Sequence, residues 1–141
     1  MAITEAMCTS FKQEVLEGVH NFKSSGGHTF KIALYTSSAS LDAMTTAYST
    51  SNEVSGTNYD AGGFTLTNKS PETTGTTAVC SFEDAFWNSS SITARGALIY
   101  NSSQSNKAVC VLDFGVDKTS NPDFRIDFPA ETATGALIRF A

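Results

Sequence analysis

The stretch that decides the fold reads ITARGALIYNSSQSNKAVCVLDFG and spans residues 92–115. Its two apolar runs, 92–100 and 107–115, flank a polar linker of Asn, Ser and Gln at 101–106. Two such runs joined by a short polar linker predict an antiparallel β-hairpin. The second run is apolar on both of its alternating faces, which predicts a strand that is covered on both sides in the middle of a packed sheet.

Further strand patterns surround this hairpin, and no βαβ alternation is present. The predicted strands cover residues 30–35, 64–67, 76–82, 92–100, 107–115, 123–128 and 135–140. The short strand at 64–67 is expected to end before Ser70-Pro71. The pattern predicts a mainly β fold: an antiparallel β-sandwich or compact barrel of about seven strands over 30–141. A chain of 141 residues suits a single domain, 1–141, with its own core.

One amphipathic helix is predicted over residues 4–22, before the first strand pattern. Its apolar residues recur at spacings of four, four, four and three, at Met7, Phe11, Val15, Val19 and Phe22. Such spacing places them on one helix face. Thr4 is the expected N-cap, and the helix should stop at 24–27, with Gly18 in its interior at a cost of about 1 kcal/mol relative to Ala. The apolar face should cover the sheet or dock on a partner subunit.

The long segment 36–63 is polar and rich in turn residues. A connection of this length inside a small domain is often functional. Oxygen ligands for Ca²⁺ are available there from Asp42, Asn52, Glu53, Asn58 and Asp60. They lack the spacing of an EF-hand loop, so neither a metal nor a cofactor is predicted.

Charge and composition exclude several classes of function. The net charge is −5 and Lys and Arg form no cluster, so nucleic-acid binding is not expected. No apolar run reaches the length of a membrane span, and no signal-like segment begins the chain. The three cysteines lack metal or redox spacing and are expected to be buried and reduced. The protein is therefore expected to be made in a cytoplasm, without a membrane partner.

No catalytic motif is present, and an enzyme is not predicted. The chain has neither a GxSxG elbow nor a phosphate-binding loop, and its two histidines lie far from the cysteines in sequence. Glu83 and Asp84 are adjacent, so in a strand they would point to opposite faces. Asp123 and Asp127 flank Arg125 in an alternating segment, which indicates an exposed row of charges that protects a sheet edge.

Aromatic residues supply most of the candidate contact sites. Phe86 and Trp87 are adjacent, so only one can face the core, and the other is a candidate for a buried surface between subunits. Trp87 could alternatively stack on a sugar. The same reasoning applies to Tyr59 in the long segment. The predicted interface residues are Phe11, Val15, Val19, Phe22, Tyr59, Phe86 and Trp87.

Several stretches together resemble a family of small virion structural proteins encoded by tailed bacteriophages. The resemblance lies in CTSFK (8–12), FKIALYTSSA (30–39), NEVSGT (52–57) with Tyr59 and AGG (61–63), ITARGALIY (92–100), and 107–115. It covers most of the chain. The family implies a role in virion structure, without a catalytic motif.

Within that family, a mildly acidic surface rich in Ser and Thr suits a protein that is added outside the capsid and avoids DNA. The leading hypothesis is therefore a head decoration, or cement, protein that oligomerises and bridges neighbouring capsid subunits without covalent bonds. Its partners would be copies of itself and the major capsid protein or other virion proteins, and its location the virion, assembled in the host cytoplasm. A homotrimer on a local threefold axis is the expected symmetry. The alternatives are a tail, neck or fibre-associated component, and a carbohydrate-binding module that contacts the host through Trp87 and residues 36–63.

Overall fold

The computed structural model of the chain describes residues 2–132 and 135–140. The fold is mainly β, as predicted, with one helix, α1 (Thr9–Leu16), within that part of the chain. The strands are β1 (Ala6–Met7), β2 (Phe30–Tyr35), β3 (Phe64–Thr65), β4 (Asn68–Thr74), β5 (Thr77–Phe82), β6 (Ala85–Trp87), β7 (Thr93–Asn101), β8 (Lys107–Thr119), β9 (Phe124–Ile126) and β10 (Ile138–Phe140).

The predicted hairpin is confirmed and forms the centre of the largest sheet. β7 and β8 pair antiparallel, with Ile99 opposite Cys110, in a five-stranded sheet of order β1-β8-β7-β2-β3. β8 lies between two neighbours, and its residues 108–111 are buried, as expected for a strand with two apolar faces. The linker closes at Ser105 and Asn106, which both take left-handed backbone conformations with φ of 55° and 57°.

Two smaller sheets complete the architecture. One has the order β10-β5-β4, and the other pairs β6 with β9. Within the described residues the sheets do not close into a barrel. Of the two predicted architectures, the fold is consistent with the β-sandwich. All three strands absent from the prediction are short or lie at a sheet edge: β1, β4 and β6.

The short strand β3 ends before Ser70-Pro71, as predicted, but Ser70-Pro71 does not interrupt strand structure, because β4 runs through it. β4 is the edge strand of its sheet, and its pairing with β5 shifts register between Lys69 and Glu72. Pro71 therefore lies at an irregularity on a free edge, where its missing N–H removes no ladder hydrogen bond.

The predicted helix over 4–22 is wrong in its second half, because Gly18 ends it. The backbone N–H of Gly18 donates to the carbonyl of Val15 at 3.2 Å, and that of Val19 donates to the carbonyl of Glu14 at 3.0 Å. Gly18 itself is left-handed, with φ of 75°. This is a Schellman motif, the helix terminator that favours glycine. Gly18 is therefore a helix stop and not an interior residue.

The first turn of the predicted helix is replaced by the short strand β1. Ala6 and Met7 pair with Val111 and Cys110 and cover the outer edge of β8. The helix then begins after Cys8, whose carbonyl accepts the first helical bond from Lys12 N–H at 3.2 Å, so Thr4 is not the N-cap. Pairing with the exposed edge of a long strand overrides the helical periodicity of this segment.

Replacing Gly18 with Ala distinguishes the two interpretations of this residue. In a helix interior the change would stabilise the protein by about 1 kcal/mol. At a left-handed position with no atom within 4 Å of the added methyl, backbone strain alone should destabilise it, by about 1 kcal/mol. Urea unfolding measures the change, and Gly26→Ala, at another open left-handed glycine, is the matched control. A gain in stability for Gly18→Ala would contradict the terminator assignment.

Candidate functional site: an apolar cleft beside the helix

An apolar cleft lies between α1, the segment that follows it, and the sheet of β10, β5 and β4. Its volume is about 100 Å³. The lining residues are Phe11, Val15, His20, Phe22, Pro71, Ala78, Val79, Cys80, Ile138 and Phe140. None of them is an Asp, Glu, Lys or Arg. This volume is of the same order as the cavity of about 150 Å³ that truncating one buried leucine can leave in a protein core.

The helix stop at Gly18 builds one wall of the cleft. Beyond it the chain turns back, so that His20 and Phe22 point towards the domain rather than continuing a helix face. The Phe22 ring stacks on Phe30 of β2 with centroids 4.3 Å apart, and the Phe11 ring lies 4.9 Å from His20. Aromatic packing of this kind holds the wall against the sheet.

His20 is the polar residue of this wall, and its hydrogen bonds are complete. Its side chain is 0% exposed, and Nε2 lies 2.9 Å from Glu14 Oε1. Nδ1 lies 3.0 Å from Asn101 Nδ2. Since an amide nitrogen only donates, Nδ1 accepts, and the ring proton is on Nε2, which donates to the carboxylate. Both nitrogens are engaged, so His20 has no free nitrogen to act as a base.

Asn101 joins this histidine to the other one in the chain. Its side-chain nitrogen lies 3.0 Å from His28 Nδ1, and its Oδ1 accepts from the backbone N–H of Ser103 at 3.0 Å. His28 Nδ1 also accepts from the backbone N–H of Asn21 at 3.2 Å. Asn101 is fully buried, and one amide therefore ties the segment after the helix to the end of β7.

Cys80 gives the cleft no nucleophile. Burial, reinforced by the nearby carboxylate of Glu131, raises the pKa of its thiol to about 12. A thiol with this pKa stays protonated at neutral pH, whereas reactive cysteines need a thiolate. With His20 and Cys80 both unreactive, the arrangement can hold an apolar group but offers no bond-making chemistry.

Exposed apolar side chains lie next to this cleft. Leu16, the last residue of α1, is 89% exposed and directly follows the lining residue Val15. Phe140, which lines the cleft, is itself half exposed. An apolar cleft with exposed apolar side chains near it is typical of an interaction site.

The structure brings three of the seven predicted interface residues into the cleft. Phe11, Val15 and Phe22 line it. Val19 is half-buried in the turn that follows the helix, where its backbone completes the Schellman motif. Three of the residues that the helical periodicity grouped therefore lie together, although they reach the cleft from a helix and the segment after it and not from one continuous helix face.

The other predicted residues lie elsewhere. Trp87 is 6% exposed and packs in the core against Phe124 and Tyr59, each with ring centroids 5.9 Å away. Its burial contradicts the idea that it stacks on a sugar. Phe86, the neighbour that faces outward, is 43% exposed and lies 5.4 Å from the ring of Phe64.

Tyr59 belongs to a hydrogen-bonding cluster that sequence reasoning missed. Glu53 Oε2 accepts from the Tyr59 hydroxyl at 2.6 Å and from the Gly62 N–H at 2.9 Å, while Oε1 accepts from the Tyr48 hydroxyl at 2.6 Å. Tyr59 Oη in turn accepts from the backbone N–H of Leu34 at 2.9 Å. One carboxylate thereby holds residues 48–62 together, and the Tyr59 hydroxyl joins them to β2.

This cluster changes the interpretation of the long segment. Because three protein groups already bind the Glu53 carboxylate, it is committed to structure and is not a waiting Ca²⁺ ligand. No three His, Cys, Asp or Glu residues in the described part of the chain lie close enough together to hold a metal ion. The sequence signal that could have indicated this cluster is the high density of hydroxyl side chains in residues 36–63, which contain a single glutamate, Glu53.

Comparison with known protein families, with curated proteins and with solved structures finds no match to this chain. Across residues 2–132 and 135–140, no helix combines the length and the apolar character that crossing a membrane requires.

The tyrosine cluster predicts a loss of stability at alkaline pH. Burial, with the Glu53 charge as a further cause, raises the pKa of Tyr59 above its ordinary value and that of Tyr100 to about 12. An unfolded tyrosine loses its proton near pH of about 10, at a lower pH than the folded one. The contribution of these tyrosines to the free energy of unfolding is therefore fully present below pH of about 10 and is lost as the pH rises through the folded-state pKa. Urea midpoints should therefore fall above pH of about 10.

The variant Tyr59→Phe tests which residue causes this loss. It should cost about 1–2 kcal/mol at neutral pH, because the hydroxyl bonds to Glu53 and Leu34 disappear, and it should flatten the decline above pH of about 10. The matched variant is Glu53→Gln, and a double-mutant cycle with Tyr59→Phe measures the interaction energy between the two side chains. An unchanged alkaline slope in Tyr59→Phe would contradict the assignment.

Proposed function

We propose that this protein is a structural component of a tailed-bacteriophage particle, a head decoration protein that oligomerises and bridges neighbouring capsid subunits non-covalently. The phage origin is supported by the resemblance over residues 8–12, 30–39, 52–57 with Tyr59, 61–63, 92–100 and 107–115. The observation that carries the structural role is the apolar cleft with exposed Leu16 and Phe140 beside it. It is a surface that gains free energy by being covered and offers no reactive group.

The occupant of the cleft under this proposal is a second copy of the chain. A protein with net charge −5 repels its own copies, so self-association favours the surface with the fewest charges. The cleft lining has no Asp, Glu, Lys or Arg, and Leu16 provides an exposed aliphatic side chain beside it. In a closed trimer, Leu16 of each copy would enter the cleft of the next.

The structure bears differently on the two alternative functions, the carbohydrate-binding module and the tail, neck or fibre-associated component. The carbohydrate-binding alternative depended on an accessible Trp87, and the burial of that side chain removes its anchor. A tail, neck or fibre-associated component would use the same apolar surface on a different symmetry axis. Copy number separates it from a decoration protein.

The decisive experiment is quantitative mass spectrometry of purified particles, normalised to the major capsid protein. Decoration of the whole shell predicts a copy number comparable to that of the capsid protein. A much smaller number would overturn decoration in favour of the neck, tail or fibres. Absence from the particles would overturn both structural roles.

Self-association through the cleft makes a separate prediction. Sedimentation equilibrium of the purified protein should show a closed oligomer, with a trimer as the expected state. Leu16→Asp should weaken association at least about tenfold, because a charge would have to be buried in an apolar cleft. Met44→Asp, at another exposed apolar residue outside the cleft, should leave it unchanged. A wild-type monomer, or equal effects of the two variants, would contradict this use of the cleft.

A further inference from the structure

A second surface, separate from the cleft, lies on the small sheet of β6 and β9. The register places Phe86 directly opposite Arg125, so both side chains project from the same face. Trp87 and Phe124, also paired, project from the other face and are buried. The small sheet thus has one face in the core and one face that presents an exposed phenylalanine beside a guanidinium.

The guanidinium on this face is held in place before any partner arrives. Arg125 Nη2 donates to Asp84 at 2.7 Å, and Nε donates to Asp127 at 2.5 Å. Asp84 is fixed in turn by the backbone N–H of Phe128 at 3.0 Å, and this bond, followed by that from Arg125, lowers the pKa of the Asp84 carboxyl. A fixed side chain loses less conformational freedom on binding.

The charges around Phe86 are unbalanced. Residues 83–87 and 123–127 carry four carboxylates, Glu83, Asp84, Asp123 and Asp127, against the single guanidinium of Arg125. The excess of three negative charges is more than half of the net −5 of the whole chain. Glu83, Asp123 and Asp127 are exposed. Phe86 is thus an exposed aromatic side chain that lies beside one guanidinium in a region of net negative charge. A region of this kind favours a partner of the opposite sign.

We infer that this face, the acidic face, binds a basic protein surface that has an apolar socket for Phe86. A second copy of the chain is disfavoured there, because two such faces would repel each other. Nucleic acid would be repelled as well. Resting on the proposed function, the inference assigns the acidic face to the capsid exterior and leaves the apolar cleft for contact between copies.

Rebinding to particles tests the inference. Particles from a phage that lacks the gene are mixed with purified protein, and the bound fraction is measured after pelleting. Phe86→Ala should weaken binding about tenfold or more, the effect expected of a central aromatic contact. Reversing two charges in Asp123→Lys/Asp127→Lys should weaken it further. Binding of the wild type should fall between about 0.05 and about 0.5 M NaCl, because the attraction between charges is screened.

Matched controls separate this face from general effects. Met44→Ala removes another exposed apolar side chain, and Asp117→Lys reverses an exposed charge on β8. Both should bind like the wild type, and circular dichroism should show every variant folded. Wild-type binding that Phe86→Ala and the charge reversal leave unchanged would overturn the acidic face alone. A wild-type protein that does not bind particles would overturn the proposed function and, with it, the assigned partner.

Discussion

The arrangement of this molecule depends on one buried amide. Asn101, at the end of β7, uses its side-chain nitrogen to reach both histidines and its oxygen to accept from Ser103. Without these bonds, Nδ1 of His20 would be buried without a donor, at a cost of about 1–3 kcal/mol, and Nδ1 of His28 would keep only the Asn21 N–H. The amide therefore directs the path of residues 17–29 back onto the sheet. The cleft exists because that path leaves α1 at Gly18 instead of prolonging the helix.

The parts of the fold that follow local rules were predictable from sequence. The hairpin of β7 and β8 is specified by two apolar runs and an Asn/Ser linker, all within one stretch of the chain. The strand β2 could be predicted from its own alternating apolar residues alone. The helix prediction was wrong at its start because hydrophobic periodicity takes no account of pairing with distant strands. Met7 fits a helix face, yet the otherwise unpaired edge of β8 offers it the hydrogen bonds of a sheet. Gly18 carried the correct signal, a glycine at the C′ position, which spacing alone did not reveal.

Long-range contacts were beyond sequence reasoning. Nothing local indicates that Glu53 collects two tyrosine hydroxyls, or that Asn101 lies between histidines more than 70 residues away in sequence. The adjacency of Phe86 and Trp87 did predict that one faces out, because side chains alternate along a strand. Which of them faces out depends on the neighbours, since the larger indole fills the space between Tyr59 and Phe124.

Charge divides the surface into two kinds of contact. A protein that must meet both its own copies and a different partner needs surfaces that do not compete. The lining of the cleft contains no Asp, Glu, Lys or Arg, so like copies would meet there with the least repulsion. The acidic face carries an excess of negative charge near Phe86, which we infer would repel a second copy and attract a basic surface. Under the proposed function, repulsion at the acidic face would direct self-association to the cleft, and one net charge would support two separate specificities.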